Sequence, residues 1–136
     1  MLTVERCRRE IVTLHGFFEE WFRGDRSRDT FDRFERSLGD GFEQVTPAGT
    51  VIGRDEIRRR VRETYGRYDE AFAIDIRDVE PIATRENRAL VRYEEWQTSS
   101  EGTSGRISTA WLAAPGGDPN AVEWRHLQET WVDQSD

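Results

Sequence analysis

The second half of the chain consists of strand-type sequence interrupted only by short loops, and this pattern limits the possible folds more than any other feature. The runs richest in β-branched and aromatic residues are 71–84, 88–100, 105–114 and 121–132. The loops that separate them are 85–87, 101–104 and 115–120. Strands joined by such short loops pair antiparallel with their neighbours in sequence. This half of the chain therefore predicts a four-stranded antiparallel meander.

The beginning of the chain has the period of a helix instead. Apolar side chains recur at three- and four-residue steps, namely Val4, Cys7, Ile11, Leu14, Phe18 and Trp21. Such spacing places these side chains on one face of a helix. We therefore predict a long amphipathic helix over residues 3–23 that ends at Gly24 and Asp25.

Two shorter helices and a hairpin are predicted between the long helix and the strands. The second helix is predicted to begin near Asp29 or Thr30, to bury its phenylalanines, and to end before Gly39. The turn-forming residues 47–49 separate two short extended pieces, which predict a hairpin. The third helix is predicted to begin after Gly53, where acidic residues in the first turn complement the helix dipole.

This order of elements predicts the α+β class, with three helices packed on one face of a strongly curved, mostly antiparallel sheet. At 136 residues the chain is expected to form a single domain, residues 1–136, with a polar tail at 133–136.

Composition excludes several classes of partner. The formal net charge is -7, and all 20 basic residues are arginines. This acidic balance argues against broad binding of nucleic acid or of an anionic membrane. Cys7 is the only cysteine, so no disulfide forms within the chain, and no apolar run reaches the length of a membrane span. We therefore expect a cytoplasmic protein.

The segment "FERSLGDGFEQVTPAGTVIGRDEIRRRV" (34–61), together with the order of elements, resembles the nuclear-transport-factor-2-like (NTF2-like) superfamily. That group includes ketosteroid isomerase, scytalone dehydratase, SnoaL-like cyclases and the calcium/calmodulin kinase II association domain. The most specific piece is the Pro-x-Gly turn followed by Gly-x-x-x-Ile. The resemblance implies a cone-shaped sheet around a cavity, and commonly a homodimer formed through the convex side of the sheet.

The resemblance also locates the catalytic positions of the isomerase-like members, and this chain lacks their residues. Their general base, an aspartate before the proline of the turn, corresponds to Thr46. Their oxyanion-donating tyrosine corresponds to Phe17, which has no donor, and their third acid falls near Ser108 or Thr109. We therefore do not expect steroid isomerisation by that machinery.

The association domain suggests a second comparison, because its cavity contains arginines. Matching "ALVRYEEW" to its strand places Arg92 at one of them, while Thr109 and Glu129 occupy the other two positions. In this register Leu90, Arg92, Glu94 and Trp96 face the cavity. A slip of one residue instead turns inward Tyr93, Glu95, His126 and Gln128.

The first register predicts an aromatic pocket that contains one cation and two carboxylates. Its predicted ligand-binding residues are Phe17, Trp21, Arg92, Glu94, Trp96, Thr109, Trp111, Glu129 and Trp131. An ion pair between Arg92 and Glu129 is equally compatible with a structural role and with a ligand contact. His15 is expected at the edge of the core and His126 in an interface. No metal or cofactor is expected.

Three functions fit this pattern. The first is non-catalytic binding of an unknown small hydrophobic molecule. The second is a cofactor-free isomerase, dehydratase or cyclase in which Glu94 or Glu129 acts as acid or base beside Arg92. The third is an oligomeric assembly module whose function is the homodimer itself.

Overall fold

A computed structural model describes residues 1–118 and 121–132, so the predicted tail 133–136 and part of the last loop lie outside the described residues. The elements are helix α1 (Val4–Arg23), a 3-10 turn (Arg28–Thr30), helix α2 (Asp32–Glu35), strands β1 (Leu38–Val45) and β2 (Val51–Gly53), helix α3 (Arg54–Glu63), and strands β3 (Ala73–Arg85), β4 (Arg88–Ser99), β5 (Gly102–Ala113) and β6 (Glu123–Trp131). None of the helices in the described part of the chain is long and apolar enough to cross a membrane.

The strands form one curved, unclosed sheet in the order β2-β1-β6-β5-β4-β3. The predicted meander of β3 to β6 is antiparallel throughout, and the predicted hairpin of β1 and β2 is antiparallel as well. The single parallel pair joins β1 to β6, so the last strand lies in the middle of the sheet. The α+β class predicted from the order of elements and the cone-shaped sheet implied by the resemblance are both confirmed.

Helix α1 closes the concave side of the sheet, as its apolar stripe predicts. The side chain of Thr3 accepts a hydrogen bond from the backbone N–H of Arg6 and caps the first turn. Gly24 ends the helix in the left-handed conformation, with a φ of 77°, which glycine adopts at little cost. The buried stripe, from Cys7 to Trp21, packs against strands β3 and β4.

The predicted second helix is wrong in its extent. Only Asp32–Glu35 are α-helical, and Leu38 already belongs to β1, where it pairs with Trp124 of β6. Gly39 does not end a helix. A side chain there would meet the carboxylate of Glu123 at 2.6 Å, so this glycine permits the close approach of β6. Tertiary strand pairing therefore overrides the helical pattern at this point.

Candidate functional site

The sheet and the helices form a partly open cavity of about 140 Å³. Its apolar walls include Leu14, Phe18, Phe22, Phe34, Trp124 and Leu127. Its polar residues are His15, Gln44, Glu95, Gln97, Arg106 and Glu129. An engineered apolar cavity of roughly 150 Å³ binds benzene, so this one has room for a single small ring.

The imidazole of His15, carried by α1, forms a buried ion pair with Glu95 of β4. Its Nδ1 lies 2.7 Å from the backbone oxygen of Ile11, and its Nε2 lies 3.1 Å from Oε1 of Glu95. Because both ring nitrogens face acceptors, both carry hydrogen, and the ring is an imidazolium beside a carboxylate. Burial disfavours both charges, but their mutual attraction and hydrogen bond outweigh it. The pKa of His15 is therefore raised, and the pKa of Glu95 is lowered.

A second charge pair joins Glu129 of β6 to Arg106 of β5. Nη1 of Arg106 lies 3.3 and 3.4 Å from the two carboxylate oxygens, and the amide of Gln44 donates to Oε1 of Glu129 at 2.6 Å. Burial raises the pKa of Glu129, and the positive charge of Arg106 only partly opposes this effect. The two carboxyl groups in the cavity, Glu95 and Glu129, thus have pKa values shifted in opposite directions.

Tyr93 supports the first of these pairs. Its ring is fully buried and meets the His15 ring edge-on, with centroids 5.6 Å apart. Burial raises the pKa of its phenol well above the usual value, so the ring stays neutral. Tyr93 therefore holds His15 by ring packing.

Of the nine predicted ligand-binding residues, Glu129 is the one that lines the cavity. Phe17 and Trp21 are buried on another side of α1, where their rings stack at 5.6 Å. The indole of Trp21 donates to the backbone oxygen of Val61 at 2.8 Å. These two aromatic residues belong to the core between helices and do not line the cavity.

The predicted inward register of β4 is wrong by one residue. Tyr93 and Glu95 point into the cone, whereas the Arg92 side chain is 52% exposed on the convex face and forms an ion pair with Glu80 at 3.0 Å. The indole of Trp96 donates to Glu94 on that same face. Arg92 therefore does not reach Glu129. A one-residue slip in register turns every side chain of a strand to the opposite face of the sheet. Matching Arg92 to an arginine of the association domain introduces such a slip in β4.

The register of β5 is reversed for the same reason. Thr109 and Trp111 pair with Arg92 and Leu90 of β4, and so they share the convex face with them. The inward residues of β5 are Arg106, Ser108 and Ala110, of which the last two are fully buried.

Strand β6 contains an irregularity that neither predicted register anticipates. Trp111 pairs with His126 but Leu112 pairs with Trp124, so one extra residue bulges between them. As a result Trp124 and Leu127 both line the cavity although they are three residues apart.

Trp131 shares the inward parity of Glu129, as predicted, but it lies at the rim of the cone. It is 50% exposed, and its ring lies 4.9 Å from the guanidinium of Arg106. At this distance the Trp131 ring makes a cation–π contact with Arg106 on the side of Arg106 that faces the rim of the cone. The deeper cavity does not include Trp131.

The predicted ligand-binding set lacks most of the polar residues of the cavity, namely His15, Gln44, Glu95, Gln97 and Arg106; of these, Glu95 faces inward in the alternative register. A signal for the β4 register was present, because residues 89, 91 and 93 are apolar while 88, 92 and 94 are charged. Binary patterning alone would have turned Glu95 and Gln97 inward. Among the residues that the structure describes, no group of three His, Cys, Asp or Glu side chains is arranged to hold a metal ion.

Comparisons with known proteins agree with this architecture. The family model for the sucrose-6-phosphate phosphohydrolase C-terminal region matches residues 7–133. An NTF2-like protein of unknown function, PA1314 from Pseudomonas aeruginosa, is 30% identical and superposes with a TM-score of 0.88 over 94% of this chain and 99% of that chain. None of the curated proteins matches this chain in sequence.

Two more distant structures share the fold alone. A candidate dehydratase of the NTF2-like family from Streptomyces avermitilis is 18% identical, with a TM-score of 0.71 over 96% of each chain. The CaMKII hub of S. rosetta is 10% identical, with a TM-score of 0.61 over 75% of this chain and 82% of that chain. One fold therefore supports a candidate enzyme and a hub, and the function of this chain depends on its site.

Proposed function

The chain belongs to the sucrose-6-phosphate phosphohydrolase C-terminal family and has the NTF2-like fold, and from this premise we propose that it is a non-catalytic small-molecule-binding domain. The observation that carries the proposal is the cavity of about 140 Å³, which combines apolar walls with a few convergent polar groups. Such a combination is typical of ligand sites, since the walls supply affinity and the polar groups fix orientation.

The hydrogen bonds of the cavity favour binding over catalysis. Each carboxylate oxygen of Glu95 already accepts a hydrogen bond, one from His15 and one from Gln97. Glu129 is held in the same way by Gln44 and Arg106. A general base needs a lone pair directed at its substrate, and these carboxylates are engaged by the protein itself. A rigid, mutually bonded set of polar groups is well suited to orienting a ligand.

The test is to fill the cavity. Saturation-transfer NMR with phenol and toluene should detect binding to the parent protein, and Leu127→Trp should abolish it because the new indole occupies the space of the ring. Val12→Trp is the matched control, because it adds the same side chain at an exposed position of α1. Binding that persists in Leu127→Trp, or that is absent from the parent, would contradict the proposal.

A cofactor-free isomerase, dehydratase or cyclase is the second candidate, and one observation favours it. The pKa values of Glu129 and Glu95 are shifted in opposite directions, which is a pattern of acid–base pairs in enzymes. In this case Glu129 would exchange the proton and Arg106 would stabilise the developing charge. Glu94, the other predicted acid, lies on the convex face and has no access to the cavity.

This second candidate predicts that Glu129→Gln abolishes turnover of a substrate while its binding is retained. Loss of binding and turnover together would instead indicate that Glu129 only shapes the cavity.

We also propose that the chain forms a homodimer through the convex face of the sheet. If assembly is the role of the protein, this dimer is the third predicted function. Leu90, Ile107 and Trp111 are 37 to 40% exposed there, and Leu90 pairs with Trp111 across adjacent strands. The acidic and basic side chains Glu94 and Arg92 lie on the same face, so two copies related by a two-fold axis can oppose unlike charges. A hub domain among the structural neighbours is compatible with assembly through this fold.

Light scattering tests the dimer directly. The expected mass is twice the 15.9 kDa of one chain, and Trp111→Glu should return it to the mass of a single chain because a carboxylate is buried in the interface. A mass of 15.9 kDa for the parent at micromolar concentration would rule the dimer out.

Two further expectations remain proposals. We propose that residues 1–136 form a single domain. A cytoplasmic location is proposed because the lone Cys7 is buried, and burial raises the pKa of its thiol to about 11, so the chain has no reactive or paired cysteine among its described residues.

A further inference from the structure

The cavity borders a second depression of different chemistry. A groove at the end of the β4–β5 hairpin is lined by Tyr68, Phe72, Ser99, Glu101, Thr103 and Ser104. The side chain of Gln97 lines both the groove and the cavity. Phe22, a wall of the cavity, also packs against Tyr68 and Phe72, with ring centroids 6.2 and 5.8 Å away. The groove is therefore adjacent to the cavity, with Gln97 and Phe22 between them.

The groove presents an aromatic face beside many hydroxyl groups. Tyr68 is 41% exposed and stacks on Phe72 with centroids 4.5 Å apart, while its backbone N–H donates to Phe22, so the ring is held in place. Four of the lining side chains bear hydroxyls, and Glu101 adds a carboxylate. A flat aromatic face accepts the C–H face of a sugar ring, while hydroxyls and carboxylates bond its O–H groups. This combination fits a pyranose better than an apolar or phosphate group.

The charges of the cavity and groove favour an uncharged ligand. In the cavity, the positive charges of His15 and Arg106 are balanced by Glu95 and Glu129. A charged ligand would have to lose its hydration beside this balanced set without gaining a free counter-charge. The groove has no arginine in its lining, and Glu101 would repel an anion.

The amides at the junction supply the polar contacts that such a ligand needs. Gln97 donates to Glu95 and Gln44 donates to Glu129, and neither amide oxygen accepts a hydrogen bond from the described residues. The Gln97 oxygen, at the junction, is thus available to an O–H group that enters from the groove, and the Gln44 oxygen to one inside the cavity.

We infer that the ligand is an uncharged glycoside, whose small apolar ring lies in the cavity and whose pyranose lies in the groove on Tyr68. This inference rests on the proposed binding function and names its ligand class. Gln97 lines both spaces, so we place its side chain beside the link between the two rings; a phenyl glycoside has an apolar ring of the size of the cavity joined to a sugar through one oxygen atom.

Isothermal titration with phenol, phenyl β-D-glucopyranoside and phenyl β-D-glucuronide tests the inference. The glucoside should bind at least tenfold more tightly than phenol, and the glucuronide, which differs by one carboxylate, should bind at least tenfold more weakly than the glucoside. Tyr68→Ala and Thr103→Val should each reduce the affinity for the glucoside and leave that for phenol unchanged. Ile82→Ala, at an exposed position of β3 outside the lining of both spaces, is the control and should alter neither affinity.

The outcomes separate this inference from the proposed function. If phenol binds and the glucoside binds no more tightly, the glycoside inference is overturned and the binding function stands. A glucuronide that binds as tightly as the glucoside would also overturn it. If neither phenol nor the glucoside binds, both proposals fail.

Discussion

The two faces of strand β4 carry ion pairs of similar composition in opposite surroundings. On the concave face, Glu95 and His15 are 7% and 5% exposed, whereas Arg92 and Glu80 on the convex face are 52% and 60% exposed. The bond lengths are nearly equal, at 3.1 and 3.0 Å. The comparison shows that geometry alone does not determine the importance of an ion pair. The degree of burial decides how much free energy its loss costs.

The largest effect is expected from breaking the concave pair on one side. His15→Leu leaves the carboxylate of Glu95 buried without its ion-pair partner, with Gln97 as the remaining hydrogen-bond donor among the described residues, and it should lower the free energy of unfolding by about 3 to 5 kcal/mol. The double variant His15→Leu with Glu95→Leu should recover much of this loss, because no lone charge remains. Urea unfolding of the parent, of His15→Leu and of the double variant measures these differences in the free energy of unfolding. A loss below about 1 kcal/mol for His15→Leu would mean that water or protonation relieves the charge.

A smaller effect is expected from the pH dependence of the concave pair. The raised pKa of His15 contributes stability below about pH 6.5 that is lost as pH rises through its folded pKa. The lowered pKa of Glu95 contributes stability above about pH 4.5 that is lost as pH falls through its folded pKa.

The stability advantage of the parent over the double variant should therefore be greatest between about pH 4.5 and pH 6.5. It should decline on both sides, as His15 loses its proton at higher pH and as Glu95 gains one at lower pH. Glu129 is present in both proteins, so the destabilising effect of its raised pKa at higher pH largely cancels in the difference. A difference that does not vary with pH would show that the concave pair is not ionic.

The smallest effect is expected on the convex face. Arg92→Ala removes an exposed ion pair with Glu80, which water solvates on both sides, and should change the free energy of unfolding by no more than about 0.5 kcal/mol. Unfolding of this variant and of the parent should be measured at protein concentrations too low for two chains to associate, so that the loss of dimer contacts does not contribute to the difference. A loss comparable with that of His15→Leu would remove the distinction between the two faces.

Part of the site could be predicted from sequence and part could not. The concave charges come from α1, β4, β5 and β6, and His15 meets Glu95 across 80 positions of the chain. No local pattern joins residues so far apart. The resemblance that predicts Glu129 in the cavity also predicts Arg92 there, but only Glu129 lines it, because the apolar parity of residues 89 to 93 turns Arg92 to the convex face.

The sequence by itself determined the kinds of elements, their order and the α+β class. Helical period, strand-rich runs and turn residues act over a few neighbouring positions, and they predicted α1, the hairpin, α3 and the meander. Tertiary structure alone decided the parity of β5, the bulge in β6 and the shortness of α2, whose predicted last residue, Leu38, lies in strand β1. These features depend on which strand pairs with which and on the close packing of β1 against β6, and such contacts are settled only when the whole sheet has formed around its cavity.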